Sequence, residues 1–312
     1  MFFRRLSTFS AIVLALFAPS ITWAFSITPS LIDVQAKAGT LVEKTLILVN
    51  SSDREETYYL RAARFGVRNE SGSPTFPNTD PDGVAMWIQF PQSSIVVPAH
   101  SRASAAVHVA VPPGTHPGEY YIAVLASTAP ADIVAVIGGA NVQANIAVLF
   151  FVMVDGVNLV KVGLLDVAMK DGHAMRDGLW GTYQFRLQNQ GDVHVVPEGR
   201  VEIRDVFSRL IAEGKANEEK KRLLPNTTRT FEGELGQEKP STFFSAAAAE
   251  FHAFALGPVH VRFVLKPGLV ADQPIQTDLN LWVFPWQLGM CMIGGFILLY
   301  TLFRLLMRSR VS

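Results

Sequence analysis

Seven histidines and one cysteine are the first places to look for chemistry in this chain. His100, His108 and His116 are spaced by eight. His108 falls in an alternating strand pattern and the other two in loops, and eight is no ligand spacing for one strand or turn. His173 and His252 stand alone, while His194 and His260 lie in alternating stretches. Asp166, Asp171, Asp177, Asp192 and Asp205 are scattered near turns, where Asp satisfies backbone amides. The chain has no GxSxG, no HExxH and no P-loop, and Gly138-Gly139 is not a dinucleotide fingerprint. Cys291 is the single cysteine, so no intramolecular disulfide, Cys-rich zinc site or CxxC redox pair can form. The expectation is a non-enzymatic protein with no catalytic residues, no metal and no cofactor.

Function must then rest on surfaces, and those depend on the elements that carry them. A length of 312 residues gives a prior of about two domains. Charged residues are 17% and hydrophobic ones 49%, which excludes a disordered chain. The 27 bases balance 27 acids, which excludes a nucleic-acid binder driven by bulk charge. Arg4 and Arg5 precede an apolar run, Ala11 to Ala18, and Thr22-Trp23-Ala24 is a small-x-small site. Residues 1–24 therefore read as a cleaved signal peptide. Leu6-Ser7-Thr8 after the arginines match the twin-arginine pattern poorly, so an ordinary secretory signal is expected.

At the other end, Trp282 to Phe303 carries no charge over 22 residues, enough to cross ~30 Å of hydrocarbon. Trp282, Trp286 and Tyr300 sit near its ends, as in an aromatic belt. Arg304, Arg308 and Arg310 follow, and no acid occurs after Asp278. The expected organisation is a transmembrane helix over 285–303 and a basic cytoplasmic tail over 304–312. The topology is type I, with residues 25–284 outside the cytoplasm. That ectodomain has 22 bases against 27 acids, net −5.

The ectodomain reads as strands. Period-two alternation recurs, as in Thr182-Tyr183-Gln184-Phe185-Arg186-Leu187, between turns such as Asn50-Ser51-Ser52-Asp53 and Asn189-Gln190-Gly191-Asp192. Short strands at this spacing predict an all-β protein of two tandem β-sandwich domains, 25–155 and 156–284. The first has candidate strands 27–36, 42–50, 56–65, 85–90, 94–97, 103–111, 119–127 and 143–154, with a polar loop over 68–83. The second has 158–169, 181–189, 193–196, 199–205, 227–235, 258–265 and 276–283.

Two segments break the alternation. Ser241 to Leu256 holds four consecutive alanines, with Phe244, Ala247, Ala248, Phe251 and Ala255 on one helical stripe. A short helix is expected there, capped by Ser241 or Thr242. It either plugs one end of the sandwich or forms a docking surface for a partner or the membrane. Ala129 to Ala144 is apolar and Gly-rich, either a hairpin packed on its module or a partner-binding loop. The candidate partner-binding residues are Ile133, Val134, Val136, Ile137, Phe244, Phe251 and Phe254. Strand 143–154 is long and apolar. It is a core strand or, at a sheet edge, a place where a partner strand adds.

The turn residues carry a resemblance. Ile27-Thr28-Pro29, Leu48-Val49-Asn50-Ser51-Ser52, Val97-Pro98, Val111-Pro112 and Gly118-Glu119-Tyr120-Tyr121 resemble the immunoglobulin-like N-terminal domain of periplasmic pilus chaperones. With Asn189-Gln190-Gly191, Pro197-Glu198-Gly199 and Leu224-Pro225-Asn226, the chain more closely resembles bacterial membrane-anchored tandem Ig-like surface proteins of the WxL-interacting type. That resemblance implies two Ig-like domains anchored in the plasma (inner) membrane, with the ectodomain in the periplasm or cell-wall space. It implies a role in holding a surface protein and contacting peptidoglycan. The pilus-chaperone likeness implies a membrane-tethered chaperone for secreted or fimbrial subunits. Pilus chaperones grip the subunit's terminal carboxylate with two basic residues. Here 143–154 has no Lys or Arg, and no Arg lies between Phe25 and Lys37. A cell-wall glycan-binding module is the remaining alternative, with Trp87 and Trp180 as candidate stacking rings.

Overall fold

The computed structural model describes residues 25–77, 79–130, 145–236, 239–266 and 274–309. The expected signal peptide over 1–24 lies outside them. By contacts the chain divides into two compact units. Unit 1 takes in residues up to 64, 77–115 and 120–152; unit 2 takes in 65–76, 116–119 and 153 onward. Each is built from two antiparallel-rich β-sheets, a β-sandwich.

In unit 1 one sheet orders β1 (Phe25–Thr28), β3 (Leu41–Asn50), β9 (Arg102–Ala110) and β7 (Ile88–Gln89). The second orders β2 (Leu31–Ala36), β11 (Asn145–Val154), β10 (Gly118–Ser127), β4 (Glu56–Arg64) and β8 (Ser94–Val97). Alternation produces the core directly, because every second side chain meets the same face. Leu46 and Leu48 of β3, Val107 of β9 and Val148, Phe150 and Val152 of β11 are all buried.

The structure corrects several sequence expectations here. The single strand expected over 27–36 is two strands in different sheets, divided at Pro29, which has no N–H to continue a ladder. Residues 84–87 form a 3-10 turn rather than the start of a strand. Of the two readings of strand 143–154, the structure takes the core strand: β11 lies between β2 and β10.

In unit 2 one sheet orders β12 (Val162–Met169), β14 (Thr182–Asn189) and β17 (Thr227–Glu234). The other orders β13 (Met175–Arg176), β19 (Ile275–Val283), β18 (Gly257–Lys266), β15 (Glu198–Asp205) and β16 (Leu210–Lys215). Its centre is aromatic. Phe185 stacks on Phe231 at 5.1 Å between centroids, and Phe263 meets Tyr183 edge-on at 5.1 Å. The expected strand 193–196 is reduced to one bridge, Val195 to Leu223. The expected loop 68–83 holds a small hairpin, β5 (Gly66–Arg68) with β6 (Ser73–Thr75), inside unit 2. Glu70 at its tip pairs with Arg186.

Each unit turns a corner on a buried asparagine. Asn50 ends β3; its Nδ2 donates to the carbonyls of Arg54, Val97 and Pro98, and its Oδ1 accepts from Ser52 N–H at 2.9 Å. Asn189 ends β14; its Nδ2 donates to the carbonyls of Val193 and Leu223, and its Oδ1 accepts from Gly191 N–H at 2.9 Å. Both use the Asx turn, in which the side chain bonds its own backbone two residues on. Gly191 has no alternative, since a Cβ there would lie 2.3 Å from the Leu159 carbonyl oxygen.

Two helices complete unit 2: α1 (Phe243–His252) and α2 (Trp286–Ser309). The span Trp286–Met307 is 22 residues; its most apolar 18-residue window has a mean hydropathy of 1.9 and is not buried at all. The helix runs past the expected end at 303, because Arg304 continues its hydrogen-bonding pattern without a breaker.

Candidate functional site: the apolar end of unit 2

Helix α1 forms for local reasons. Thr242 caps it: its hydroxyl accepts from Ser245 N–H at 3.2 Å, and Thr242 N–H donates to Ser245 Oγ at 3.0 Å. That reciprocal pair is a capping box. Four alanines follow, the best helix formers. At the far end the chain enters β18 through Gly257 at φ 85, a left-handed conformation glycine adopts without strain.

The amphipathic sense of α1 is inverted. Ala246, Ala247 and Glu250 are buried, while Phe244 is 77% exposed and Phe251 is 68% exposed. The stripe read from sequence is therefore not one face: Ala247 points inward, and Phe244, Ala248 and Phe251 point outward. Small side chains let α1 pack closely; the large apolar ones are left outside.

Glu250 is the key to how α1 meets α2. It is 2% exposed, and its Oε2 accepts from Leu288 N–H at 2.6 Å. The first turn of a helix has N–H groups with no internal partner, so Glu250 caps α2 from another helix. Burial pushes its carboxyl above the ordinary range, opposed by the Leu288 and Gln287 amides. Phe243 also meets Trp286 at 5.8 Å between ring centroids. Only Phe284 and Pro285 separate β19 from α2.

Strand register extends this surface. Asp205 pairs with Val259, Val259 with Leu281, and Gly257 with Val283. The β15–β16 turn therefore leaves the sheet at the end where β19 passes into α2. That turn carries Val206 and Phe207, the latter 87% exposed. β13 runs parallel to β19, with Met175 opposite Trp282, and both side chains are exposed. Phe254 and Leu256, on the path from α1 to β18, are exposed as well.

Beside the surface lies a cleft of about 730 Å³ lined by Lys170, Asp171, Arg176, Asp177, Trp180 and Trp286 among others. Within it Arg176 donates to Asp171 and to the Trp180 carbonyl.

Of the candidate residues, Phe244, Phe251 and Phe254 share this end of unit 2. Ile133, Val134, Val136 and Ile137 lie outside the described residues. Sequence reasoning missed Phe207 and Glu250. Their signals were an apolar pair between Asp205 and Ser208, and a lone acid within an alanine–aromatic run. Trp87 and Trp180 are 6% and 4% exposed, so neither offers a face for a sugar. The histidines stay apart. His100 meets Asp53 at 2.8 Å, His260 meets Asn280 at 2.7 Å and His194 meets Glu119 at 2.6 Å. Among the described residues no three His, Cys, Asp or Glu side chains converge as a metal set.

No protein-family model and no curated protein matches the chain. Among solved structures it is similar to the class 5 fimbriae chaperone CfaA, at 10% identity over 82% of this chain and 98% of that one, with a TM-score of 0.39. It is also similar to a chain of the Salmonella enterica SafA pilin–SafB chaperone complex, at 10% identity, 85% and 98% coverage and TM-score 0.38. The Pseudomonas aeruginosa CupB2 chaperone is similar at 11% identity, 83% and 100% coverage and TM-score 0.36. These are likenesses of fold alone.

Proposed function

We propose that this chain is a non-enzymatic, single-pass membrane protein whose Ig-like units hold another envelope polypeptide outside the cytoplasm. It would act as a tethered chaperone or scaffold. The observation that carries the reading is α2, a 22-residue apolar span with no buried window, joined to unit 2 by two residues. A span of that length crosses the hydrocarbon layer, and Arg304 and Arg308 at its far end favour the cytoplasmic side. A polypeptide partner is supported by open sheet edges. Among the described residues β2 and β8 end one sheet of unit 1. An end strand presents backbone groups to which a further strand can add. Ile133, Val134, Val136 and Ile137 remain proposed contributors to that binding. The buried indoles at 87 and 180 give the glycan alternative no support.

The test is in-cell crosslinking of the tagged full-length protein, with photo-reactive residues at Leu31 and Val96, followed by mass spectrometry. One dominant envelope protein supports a scaffold, and a changing set of export-stage subunits supports a chaperone. Absence of any protein adduct overturns both.

A further inference from the structure

Several of the exposed apolar side chains of unit 2 gather at one end. Phe207, Phe244, Phe251, Leu256 and Trp282 come from four separate elements, yet register and helix packing bring them to the end where α2 begins. Scattered exposed hydrophobics need no explanation, whereas a contiguous patch marks an interaction site. The partner class follows from what the patch is continuous with. Trp286 opens α2 and touches Phe243 of α1. From Trp286 to Arg304 the helix rises about 27 Å at 1.5 Å per residue, close to the hydrocarbon thickness. That places Trp286 at the outer boundary of the bilayer, and with it the collar formed by Phe207, Phe244, Phe251, Leu256 and Trp282. Aromatic side chains favour that zone, and a helix with its apolar face at the acyl boundary is a known interfacial arrangement.

We infer that the α2-proximal end of unit 2 is a lipid-facing surface. Helix α1 lies in the bilayer interface through Phe244 and Phe251, and the β15–β16 turn dips beside it through Phe207. This explains why α1 turns Ala246 and Ala247 inward and Phe244 and Phe251 outward. It rests on α2 spanning the membrane.

The test uses the full-length protein in phosphatidylethanolamine–phosphatidylglycerol vesicles, with Cys291→Ala. Single nitroxide labels are placed at Phe207, Phe251, Leu165 and Ile297, and collisions with oxygen and with a water-soluble nickel chelate are compared. The expected result is oxygen-dominated relaxation at 207, 251 and 297 and nickel-dominated relaxation at 165, a reversal of sign. Nickel-dominated relaxation at 207 and 251 with 297 still in lipid overturns the collar alone. Nickel access at 297 overturns the membrane span itself. Protection of 207 and 251 from both reagents means that protein covers the patch, which also overturns the lipid assignment.

Discussion

The two sandwiches solve the same corner in the same way and differ in what they leave outside. Asn50 and Asn189 each sit at the end of a strand, buried, with the amide spent on backbone groups on both sides of a turn. A buried polar side chain is tolerable when every group it meets is bonded. Unit 2 then breaks the complementary rule at its other end, where large apolar side chains such as Phe207, Phe244 and Phe251 are mostly exposed. The polar exception is answered within the fold. The apolar exception has no such answer among the described residues, and the lipid contact proposed above would supply one.

That contrast can be tested with one residue type in two environments. Phe185→Ala should have the largest effect, a loss of about 3–5 kcal/mol, because its ring is fully buried against Phe231 and Phe263. Phe251→Ser should change stability in detergent by less than about 0.5 kcal/mol. Chemical denaturation of both variants checks the pair; equal losses would show that Phe251 belongs to a core. Asn189→Ala comes next. It strands the Val193 carbonyl and the Gly191 N–H, while the Leu223 carbonyl keeps its bond from Val195 N–H; unsatisfied buried groups cost about 1–3 kcal/mol each, so a midpoint shift well beyond that of an exposed Asn is expected.

Two pH experiments sharpen the same boundary. The Tyr183 hydroxyl is pushed up to about 12, first by burial and then by Glu218 and Glu234. Its folded value exceeds its unfolded one, so the stabilisation is present below pH 10 and is lost as pH rises toward about 12. Tyr183→Phe should remove that alkaline loss, read by unfolding midpoints between those values. Glu250 follows the same sign at lower pH. Burial holds its proton on, so its ionisation weakens the fold as pH rises through the raised value. Glu250→Gln keeps an acceptor for Leu288 N–H and should flatten the dependence. Glu250→Ala should cost about 1 kcal/mol as a lost cap.

Much of this architecture was readable before the structure. Tyr183, Phe185 and Leu187 alternate with Gln184 and Arg186, and the burial of β14 follows that alternation. The Asn-x-Gly and Asn-Ser-Ser turns announced the corners. Three things were hidden, each for a physical reason. Pro29 divides an apolar run between two sheets, which periodicity alone does not reveal. β16 is an edge strand with few buried positions, so it carries little pattern. In α1, alanine and phenylalanine both count as apolar, so the helical period groups them. Only packing against the rest of unit 2 selects the small ones for the inside.

The two-residue passage from β19 to α2 has a consequence for motion. A long flexible linker lets an anchored domain sweep a volume set by the linker's reach. Here the tether has almost no length, and Glu250 bonds the helix's first turn back to the domain. With α2 spanning a membrane as proposed, unit 2 would be confined to a fixed height at its surface, free chiefly to rotate about the helix axis and to drift in the plane. Any meeting with another component of the same membrane would then be a search in two dimensions at nearly constant altitude, with orientation largely decided before contact.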